Sequence, residues 1–197
     1  FIFNYLKIIK STTNKVFCGG VKYQRKKSNI NLLHYKHGVK NEEISVNKRR
    51  EKPYKYFFTS NFLIAKDVFN KVTFEEKLTA YGREDLLFAI DLKNNGFNIE
   101  HISNEIFHLG LENDKIFLSK TKQAMMNLIF LENENLLKTN ESGLLNLVKN
   151  LKRFKLSRII SRFTSYFEKV VIQKKSLLML DCLKVCYLCS LNSNENA

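Results

Sequence analysis

The chain has 197 residues, a formal net charge of +14 at neutral pH and a hydrophobic content of 44%. This composition supports a folded core and excludes a wholly disordered chain. Seven glycines and one proline are too few for a loop-rich β-sandwich or a collagen-like chain. The charge is uneven, with a net +11 in residues 1–60, −4 in residues 61–142 and +7 in residues 143–197. Basic flanks attract nucleic acid, anionic lipid or a phosphorylated small substrate, and charge alone does not choose among these partners.

Hydrophobic periodicity and glycine positions predict an alternation of helices and strands. In chain order the predicted elements are a helix over 1–10, a strand over 15–23 broken at Gly19–Gly20, a strand over 56–64, a helix over 84–95 that stops at Gly96, a strand over 97–102, a helix over 114–134 and further helices beyond Gly143. The mixture predicts an α/β domain over residues 1–140, followed by a basic helical extension over residues 141–197.

Four cysteines are present, with Cys18 alone and Cys182, Cys186 and Cys189 close together. The last three have a spacing typical of metal ligands, but no fourth ligand lies near them in the sequence, and structural zinc is held by four nitrogen or sulfur atoms. We therefore expect core thiols in a reducing cytosol. No apolar stretch reaches about 18 uncharged residues, so no transmembrane helix is predicted and a cytoplasmic location is expected.

Two adjacent carboxylates, Glu84 and Asp85, open a predicted helix directly after the turn at residues 81–83. The positive end of a helix dipole favours their ionised form, and an ionised carboxylate beside a pocket is what a general base needs to accept a proton from an attacking hydroxyl. The alternative is that one of the two is only an N-terminal helix cap. From the pair alone, both interpretations stay open.

Two further sets of polar residues stand out against apolar neighbours. Thr59, Ser60 and Asn61 interrupt an aromatic strand, where burying hydrogen-bonding side chains costs free energy unless they find partners. His108 follows an apolar strand in the sequence FHLGLE. It is either an ordinary core or surface histidine or, if a metal is bound, an imidazole ligand.

Five segments follow one another between about Cys18 and Leu131. They are CGGVKY, RREKPYKYFFTSNFLI, YGREDLLFAIDLKNNG, IEHISNEIFHLGLE and FLSKTKQAMMNL. Taken together and in this order, they resemble bacterial family 2 glycosyltransferases, and more narrowly the part of the GT-A fold that follows the nucleotide-binding half and is related to the galactosyltransferase C-terminal region. Each segment alone is a weak signal, and the set is moderately specific.

The resemblance implies transfer of a sugar from a nucleotide-sugar donor to an acceptor hydroxyl of a glycan or a lipid-linked acceptor. It implies that Asp85 is the catalytic base, that Glu84 contacts the acceptor sugar and that His108 helps to hold a divalent cation, Mn²⁺ or Mg²⁺, on the diphosphate of the donor. The residues that it places around the substrate are Gly19, Gly20, Thr59, Ser60, Asn61, Gly82 and Arg83.

The sequence departs from this family at its metal motif. GT-A enzymes bind the nucleotide with an N-terminal half that ends in Asp-x-Asp, whereas no two of the five aspartates here lie within two positions of each other. The first residue is Phe1. We therefore expect an N-terminally incomplete glycosyltransferase that is inactive as the isolated chain.

The alternative function is a basic nucleic-acid-binding module, because tyrosines are interleaved with Lys and Arg in the N-terminal region, a pattern compatible with phosphate contact and base stacking. These tyrosines are Tyr23, Tyr35, Tyr54 and Tyr56. No recognised nucleic-acid motif is present and the middle of the chain is acidic, so nucleic acid is the less favoured partner.

The extension offers a further partner. Apolar residues recur at helical spacing from Gly143 to Lys175, among many basic residues and one acidic residue, Glu168. Such a helix either lies on an anionic membrane surface, here the inner face of the membrane, or packs its apolar stripe on the catalytic domain and leaves its charges in water. The sequence leaves both interpretations open.

Overall fold

The computed structural model describes residues 1–191, which form a mixed α/β structure with 55% helix and 8% strand. The helices are α1 (Ile2–Ile9), α2 (Leu33–Asn41), α3 (Val46–Glu51), α4 (Lys66–Phe69), α5 (Glu84–Asn94), α6 (Asp114–Asn133), α7 (Gly143–Arg153), α8 (Ser157–Ser161), α9 (Thr164–Lys174) and α10 (Leu177–Leu191). The strands are β1 (Val16–Cys18), β2 (Val21–Tyr23), β3 (Phe62–Ile64), β4 (Ile99–His101) and β5 (Ile106–His108), and short 3₁₀ turns cover Thr59–Asn61 and Thr139–Glu141.

The chain divides into two compact units whose limits interleave along the sequence. Unit 1 contains Phe1–Ile30, Tyr35–Lys77 and Glu84–Leu111, and unit 2 contains Asn31–His34, Leu78–Arg83 and the chain from Glu112 onward. Helix α6 therefore belongs to unit 2, although the sequence grouped it with residues 1–140. Each unit is assembled from segments that are distant in the sequence. No change of composition along the chain marks where one unit ends and the other begins.

Unit 1 contains two short sheets placed one after the other. In the first sheet, β1 lies between β3, to which it is antiparallel, and β4, to which it is parallel. In the second, β2 pairs in parallel with β5. Gly19–Gly20 separates β1 from β2, and residues 102–105 separate β4 from β5. The two parallel runs thus break at the same level, and the predicted break at Gly19–Gly20 is confirmed.

The main core of unit 1 lies between the first sheet and helix α5. Val16 and Cys18 of β1 pack with Phe88 and Leu92 of α5 in one cluster of buried side chains, which also includes Phe57. Each fully buried side chain of this size stabilises the fold by about 1.5–3 kcal/mol. Because α5 is anchored by this apolar face, the position of its first turn is fixed relative to β1.

Several sequence predictions are confirmed and others are corrected. The helices predicted over 1–10, 84–95 and 114–134 form with nearly those bounds. The strand predicted over 56–64 is wrong in its first part, because only Phe62–Ile64 is a strand and Thr59–Asn61 is a 3₁₀ turn. The turn lets the backbone N–H of Thr59 and the side chain of Asn61 bond to other segments, which a regular ladder would not allow.

Unit 2 is built from helices. Helix α10 packs against α6, α7, α8 and α9. A buried cluster joins Leu180 and Leu183 of α10 to Leu118 of α6, Val171 of α9 and Leu33. All four cysteines of the chain are free thiols, and the three in α10 are buried or half-buried. No helix within residues 1–191 is both long and apolar enough to cross a membrane.

Candidate functional site

The strongest candidate site lies at the first turn of α5. The Asp85 carboxylate is held there by Thr59, whose hydroxyl and backbone N–H both donate to Oδ1, the latter at 3.3 Å. No described residue donates to Oδ2. Asp85 is half-buried, so a solvent or substrate hydroxyl can reach this second oxygen. The structure thus orients one oxygen of the carboxylate and leaves the other available.

The environment of Asp85 raises its pKa above the ordinary 3.8, and burial is the largest cause. The hydrogen bonds from Thr59 oppose the shift, while the negative charges of Glu84 and Glu42 add to it. The position at a helix start predicts a favoured ionised form. In the folded chain the net pKa of Asp85 is raised instead, because burial outweighs the hydrogen bonds from Thr59, and the carboxylate is a stronger base as a result.

Glu84 contributes a second carboxylate beside Asp85. Its Oε2 atom is buried and has no hydrogen-bond partner among the described residues. A buried carboxylate oxygen without a donor costs free energy, and a water molecule, an ion or a ligand hydroxyl can supply the missing group. Glu84 therefore has unused capacity to accept a hydrogen bond, as contact with an acceptor sugar hydroxyl would require.

A set of residues that the sequence did not bring together surrounds Glu42. The Tyr23 hydroxyl donates to the Glu42 carboxylate, His37 Nδ1 lies 3.5 Å from it, and the His108 imidazole stacks on the Tyr23 ring with centroids 5.3 Å apart. Burial raises the pKa of Glu42, but the hydrogen bonds from His37 and Tyr23 and the charges of His37 and His108 outweigh it, so the net pKa is lowered.

Glu42 also acts on Asp85, because its charge is one of the causes of the raised Asp85 pKa. It therefore links the predicted base to the predicted metal ligand, His108, through electrostatics. Nothing in the sequence around NEEIS pointed to Glu42, because a glutamate in a polar stretch is ordinarily a solvated residue. Only the packing of α2 in the fold reveals it.

The Gly19–Gly20 break is filled by a buried arginine, Arg49 of α3. Its side chain is 0% exposed. The guanidinium donates to the carbonyl oxygens of Cys18 at 3.1 Å, Gly19 at 3.2 Å and Ile102 at 3.0 Å. A Cβ on Gly20 would lie 2.6 Å from the Arg49 Cζ atom, and Gly20 has a positive φ of 78°. Both facts require glycine here, whether or not a substrate approaches.

Asn61 completes the same break. Its amide nitrogen donates to the carbonyl oxygens of Gly20 at 2.7 Å and Asn104 at 2.9 Å, and its Oδ1 accepts from the Tyr5 hydroxyl at 2.8 Å. A Cβ on Gly19 would lie 2.5 Å from the Asn61 amide nitrogen. The roles of Gly19, Gly20 and Asn61 toward a substrate stay predictions, and the structure gives each of them an internal role.

The remaining predicted residues divide between the units. Ser60 is exposed in unit 1, next to Thr59. Gly82 and Arg83 belong to unit 2, where Arg83 Nε donates to the Ala124 carbonyl oxygen at 3.3 Å and a Cβ on Gly82 would lie 2.7 Å from the Ala124 Cβ. Their described contacts are with α6. The structure thus brings together Thr59, Glu84 and Asp85, and gives Gly82 and Arg83 a place in the other unit.

The described residues do not by themselves make a metal site. His108 offers an imidazole, but within residues 1–191 no group of three or more His, Cys, Asp or Glu side chains is arranged to hold a metal ion. A hard divalent cation is held by several oxygen ligands, and one imidazole stacked on a tyrosine does not supply them.

Two of the four tyrosines behind the nucleic-acid alternative are enclosed, while Tyr54 and Tyr56 are half-buried. Tyr23 and Tyr35 are buried and contact each other edge to face, with centroids 6.1 Å apart. Neither ring is available to stack on a base in this conformation. Base stacking needs an exposed ring face beside the basic groups.

Comparison of the chain with family models, curated proteins and solved structures finds no match. The function is therefore inferred from the residues, their geometry and the resemblance in the sequence.

Proposed function

We propose that this chain provides the acceptor side of a glycosyltransferase and that Asp85 is its general base. The single observation that carries the proposal is the Asp85 carboxylate at the first turn of α5, with Oδ1 fixed by Thr59, Oδ2 available and its pKa raised by burial. The resemblance of five sequence segments to the acceptor-side part of the GT-A fold supports this interpretation. The mixed α/β architecture is compatible with the acceptor-side part of that fold.

In the proposed reaction, Asp85 Oδ2 accepts the proton of the acceptor hydroxyl. The hydroxyl oxygen attacks the anomeric carbon of the donor sugar, the new glycosidic bond forms, and the bond from that carbon to the diphosphate breaks. The nucleoside diphosphate leaves with the electron pair. Thr59 fixes the direction of the carboxylate during this transfer, since two donors from one residue hold Oδ1.

A raised pKa helps such a base for a definite reason. A carboxylate with an ordinary pKa is a weak proton acceptor at neutral pH, and the contribution of a general base increases as its pKa approaches the working pH. Glu84 and Glu42 contribute to this increase through their charges, and Thr59 limits it through hydrogen bonds to the ionised form. A higher pKa makes Asp85 a stronger base, and a lower pKa keeps more of it ionised. The opposing effects of the glutamates and Thr59 set the pKa between these two requirements.

Glu84 is proposed to bind the acceptor sugar through its carboxylate, whose Oε2 atom is buried and has no hydrogen-bond partner among the described residues. Mn²⁺ or Mg²⁺ would neutralise the charge of the leaving diphosphate, with His108 as one ligand at most, because residues 1–191 do not supply the set of ligands that such a cation needs. A cytoplasmic location belongs to the same proposal, since all four cysteines are free thiols, as is usual in a reducing compartment.

The test is to introduce Asp85→Asn into the gene at its own chromosomal position and to profile the glycans and glycolipids of the cell by mass spectrometry. This design applies whatever the full extent of the natural protein. We expect loss of a sugar-containing product, because removing a general base lowers the rate by about 10²–10⁴-fold. Asp67→Asn, at an exposed carboxylate elsewhere in unit 1, is the matched control and should leave the product unchanged.

Two results separate the parts of the proposal. If deletion of the gene removes a glycan but Asp85→Asn does not, Asp85 is not the base. If deletion changes no glycan or glycolipid, the proposed function itself fails.

Acceptor and donor binding are measured separately on the 197-residue chain. We expect binding to saccharides on a glycan array that is lost in Glu84→Gln, and little binding of UDP-sugars with Mn²⁺ by calorimetry. A tight, metal-dependent calorimetric signal would contradict the assignment of this chain to the acceptor side.

A further inference from the structure

The extension of the chain was predicted to be amphipathic as a whole, and the structure divides it into two parts. Leu145 and Val148 of α7 and Val171 of α9 are buried within unit 2. Their apolar stripe is therefore used inside the protein. Between them, residues 152–166 turn a different set of large apolar side chains to the solvent, with exposed fractions from 44% to 69%. These are Phe154, Leu156, Ile159, Phe163 and Tyr166.

Three of these side chains lie around the junction of α8 and α9. Ile159 belongs to α8, Phe163 is the residue just before α9, and Tyr166 belongs to the first turn of α9. A hydrogen bond from Phe163 N to the Ile160 carbonyl oxygen, 3.1 Å long, ties the junction to α8. Phe154 and Leu156 lie in the turn that leads into α8.

The same segment carries a concentrated positive charge. From Ser142 to Phe167 the sequence contains six basic residues and no acidic residue. All six are exposed, and none forms a salt bridge with any residue that the structure describes. They are Lys149, Lys152, Arg153, Lys155, Arg158 and Arg162. In contrast, Lys122 and Lys175 of unit 2 are paired with Glu168 and Asp114.

We propose that residues 152–166, here called the basic apolar surface, bind the surface of an anionic lipid bilayer. The proposal is independent of the glycosyltransferase proposal. Exposed aromatic and aliphatic side chains enter the boundary between headgroups and acyl chains, while the surrounding Lys and Arg side chains contact lipid phosphates. Tyr166 suits the same boundary because its ring is apolar and its hydroxyl is polar.

A nucleic acid fits this surface less well. Phosphate contact would use the basic side chains, but Leu156 and Ile159 are aliphatic and cannot stack on bases, so their exposure would remain unexplained. A lipid surface accounts for both the charge and the exposed apolar area. It therefore matches more of the observed side chains.

The experiment measures co-sedimentation of the full 197-residue chain with phosphatidylcholine vesicles, with and without one third phosphatidylglycerol, over about 0.05–0.5 M NaCl. We expect binding to the anionic vesicles that falls with salt. The triple variant Arg153→Gln, Arg158→Gln, Arg162→Gln should bind roughly 100-fold less, since each basic residue near an anionic surface contributes about a fivefold factor. Ile159→Ser with Phe163→Ser should bind less at every salt concentration.

Two control variants remove the same number of charges or of apolar side chains from surfaces outside residues 152–166. Lys26→Gln, Lys27→Gln and Lys48→Gln remove three exposed charges from unit 1, and Ile116→Ser with Leu178→Ser removes two exposed apolar side chains of unit 2. Both should bind like the parent chain. Far-UV circular dichroism verifies that each variant keeps its helices.

Three results would overturn the proposal. One is equal binding to neutral and anionic vesicles. Another is equal vesicle binding by the triple Arg→Gln variant and by the triple Lys→Gln control in unit 1. The third is salt-sensitive binding to single-stranded DNA that competes with the vesicles and survives Ile159→Ser with Phe163→Ser, which would assign the surface to nucleic acid.

Discussion

Two polar clusters in unit 1 differ in how completely their hydrogen-bonding capacity is used. In the sheet-break cluster, formed by Gly19, Gly20, Arg49 and Asn61, side-chain donors reach the carbonyl oxygens that the interrupted strands leave open. In the carboxylate cluster, formed by Thr59, Glu84, Asp85 and Glu42, Asp85 Oδ2 and Glu84 Oε2 accept no hydrogen bond from the described residues. The first cluster is internally satisfied, and the second keeps acceptor capacity.

This difference in hydrogen-bond use indicates that the first cluster serves stability and that the second is available for chemistry. A satisfied buried network contributes to stability and fixes the backbone, whereas a carboxylate with an open oxygen and a raised pKa has a cost in the resting protein that a ligand can relieve. The sequence resemblance implies substrate contact for members of both clusters, Gly19, Gly20 and Asn61 in the first and Thr59 in the second. Substitutions in the first should therefore change mainly the free energy of unfolding, and substitutions in the second mainly activity and its pH dependence.

The largest effect is expected for Arg49→Met. The variant leaves the carbonyl oxygens of Cys18, Gly19 and Ile102 buried without their donor, and breaking a buried charged network of this kind costs about 3–5 kcal/mol. Urea unfolding followed by circular dichroism measures the change. Lys48→Met, one residue earlier on the same helix and exposed, should change the free energy of unfolding by less than about 0.5 kcal/mol. Equal effects in the two variants would contradict the internal role of Arg49.

The next effect is expected for Gly20→Ala, with Gly96→Ala as its match. Both glycines have a positive φ, 78° and 75°, but only at Gly20 would the new Cβ meet another group, the Arg49 guanidinium at 2.6 Å. Gly96→Ala should cost about 1–2 kcal/mol from backbone strain alone. Gly20→Ala should cost about 1–3 kcal/mol more, because the new methyl group overpacks a buried network. If the two variants lose the same free energy of unfolding, the close approach to Arg49 has no energetic weight.

A smaller effect, on pH dependence, is expected for Thr59→Val. Since the hydrogen bonds from Thr59 lower the pKa of Asp85, removing the hydroxyl should raise that pKa further. In the protein as it is produced from its gene, the acid side of the pH–rate profile for sugar transfer should therefore move to higher pH. Thr59→Ser keeps the hydroxyl and should leave the profile in place. An unchanged profile in Thr59→Val would mean that Asp85 does not control the acid side.

The smallest effect concerns stability as a function of pH in Asp85→Asn. Because the folded pKa of Asp85 lies above the ordinary 3.8, the unfolded chain releases this proton first as pH rises. The parent chain should therefore lose stability relative to Asp85→Asn between pH 3.8 and the folded pKa, with a constant difference at higher pH.

For Asp67→Asn, the change of stability with pH should have the opposite sign. A hydrogen bond from Lys15 lowers the pKa of Asp67, so the parent chain should be the more stable of this pair above pH 3.8 and lose that advantage as pH falls through the folded pKa. Urea unfolding of both pairs at a series of pH values measures the two curves. Curves that diverge in the same direction would contradict the environment described for Asp85.

The sequence by itself determined the features that depend on near neighbours. Helical spacing located α1, α5 and α6, and the glycine pair located the break between β1 and β2. The carboxylates at the start of α5 were also visible, because helix starts depend on a few adjacent residues. Such signals act over about one turn of helix or one strand, so they can be recognised without knowing the fold.

The tertiary structure alone decided which polar residues are enclosed and which keep an open atom. Arg49 was part of a charge run that sequence reasoning treats as solvated, yet it donates to Ile102, 53 positions away. Glu42 acts on the Asp85 pKa from a distant part of the sequence, and Gly82 belongs to unit 2 although Glu84 belongs to unit 1. Hydrogen bonds and burial between distant segments leave no periodic trace in the sequence, because they depend on where the chain returns in space.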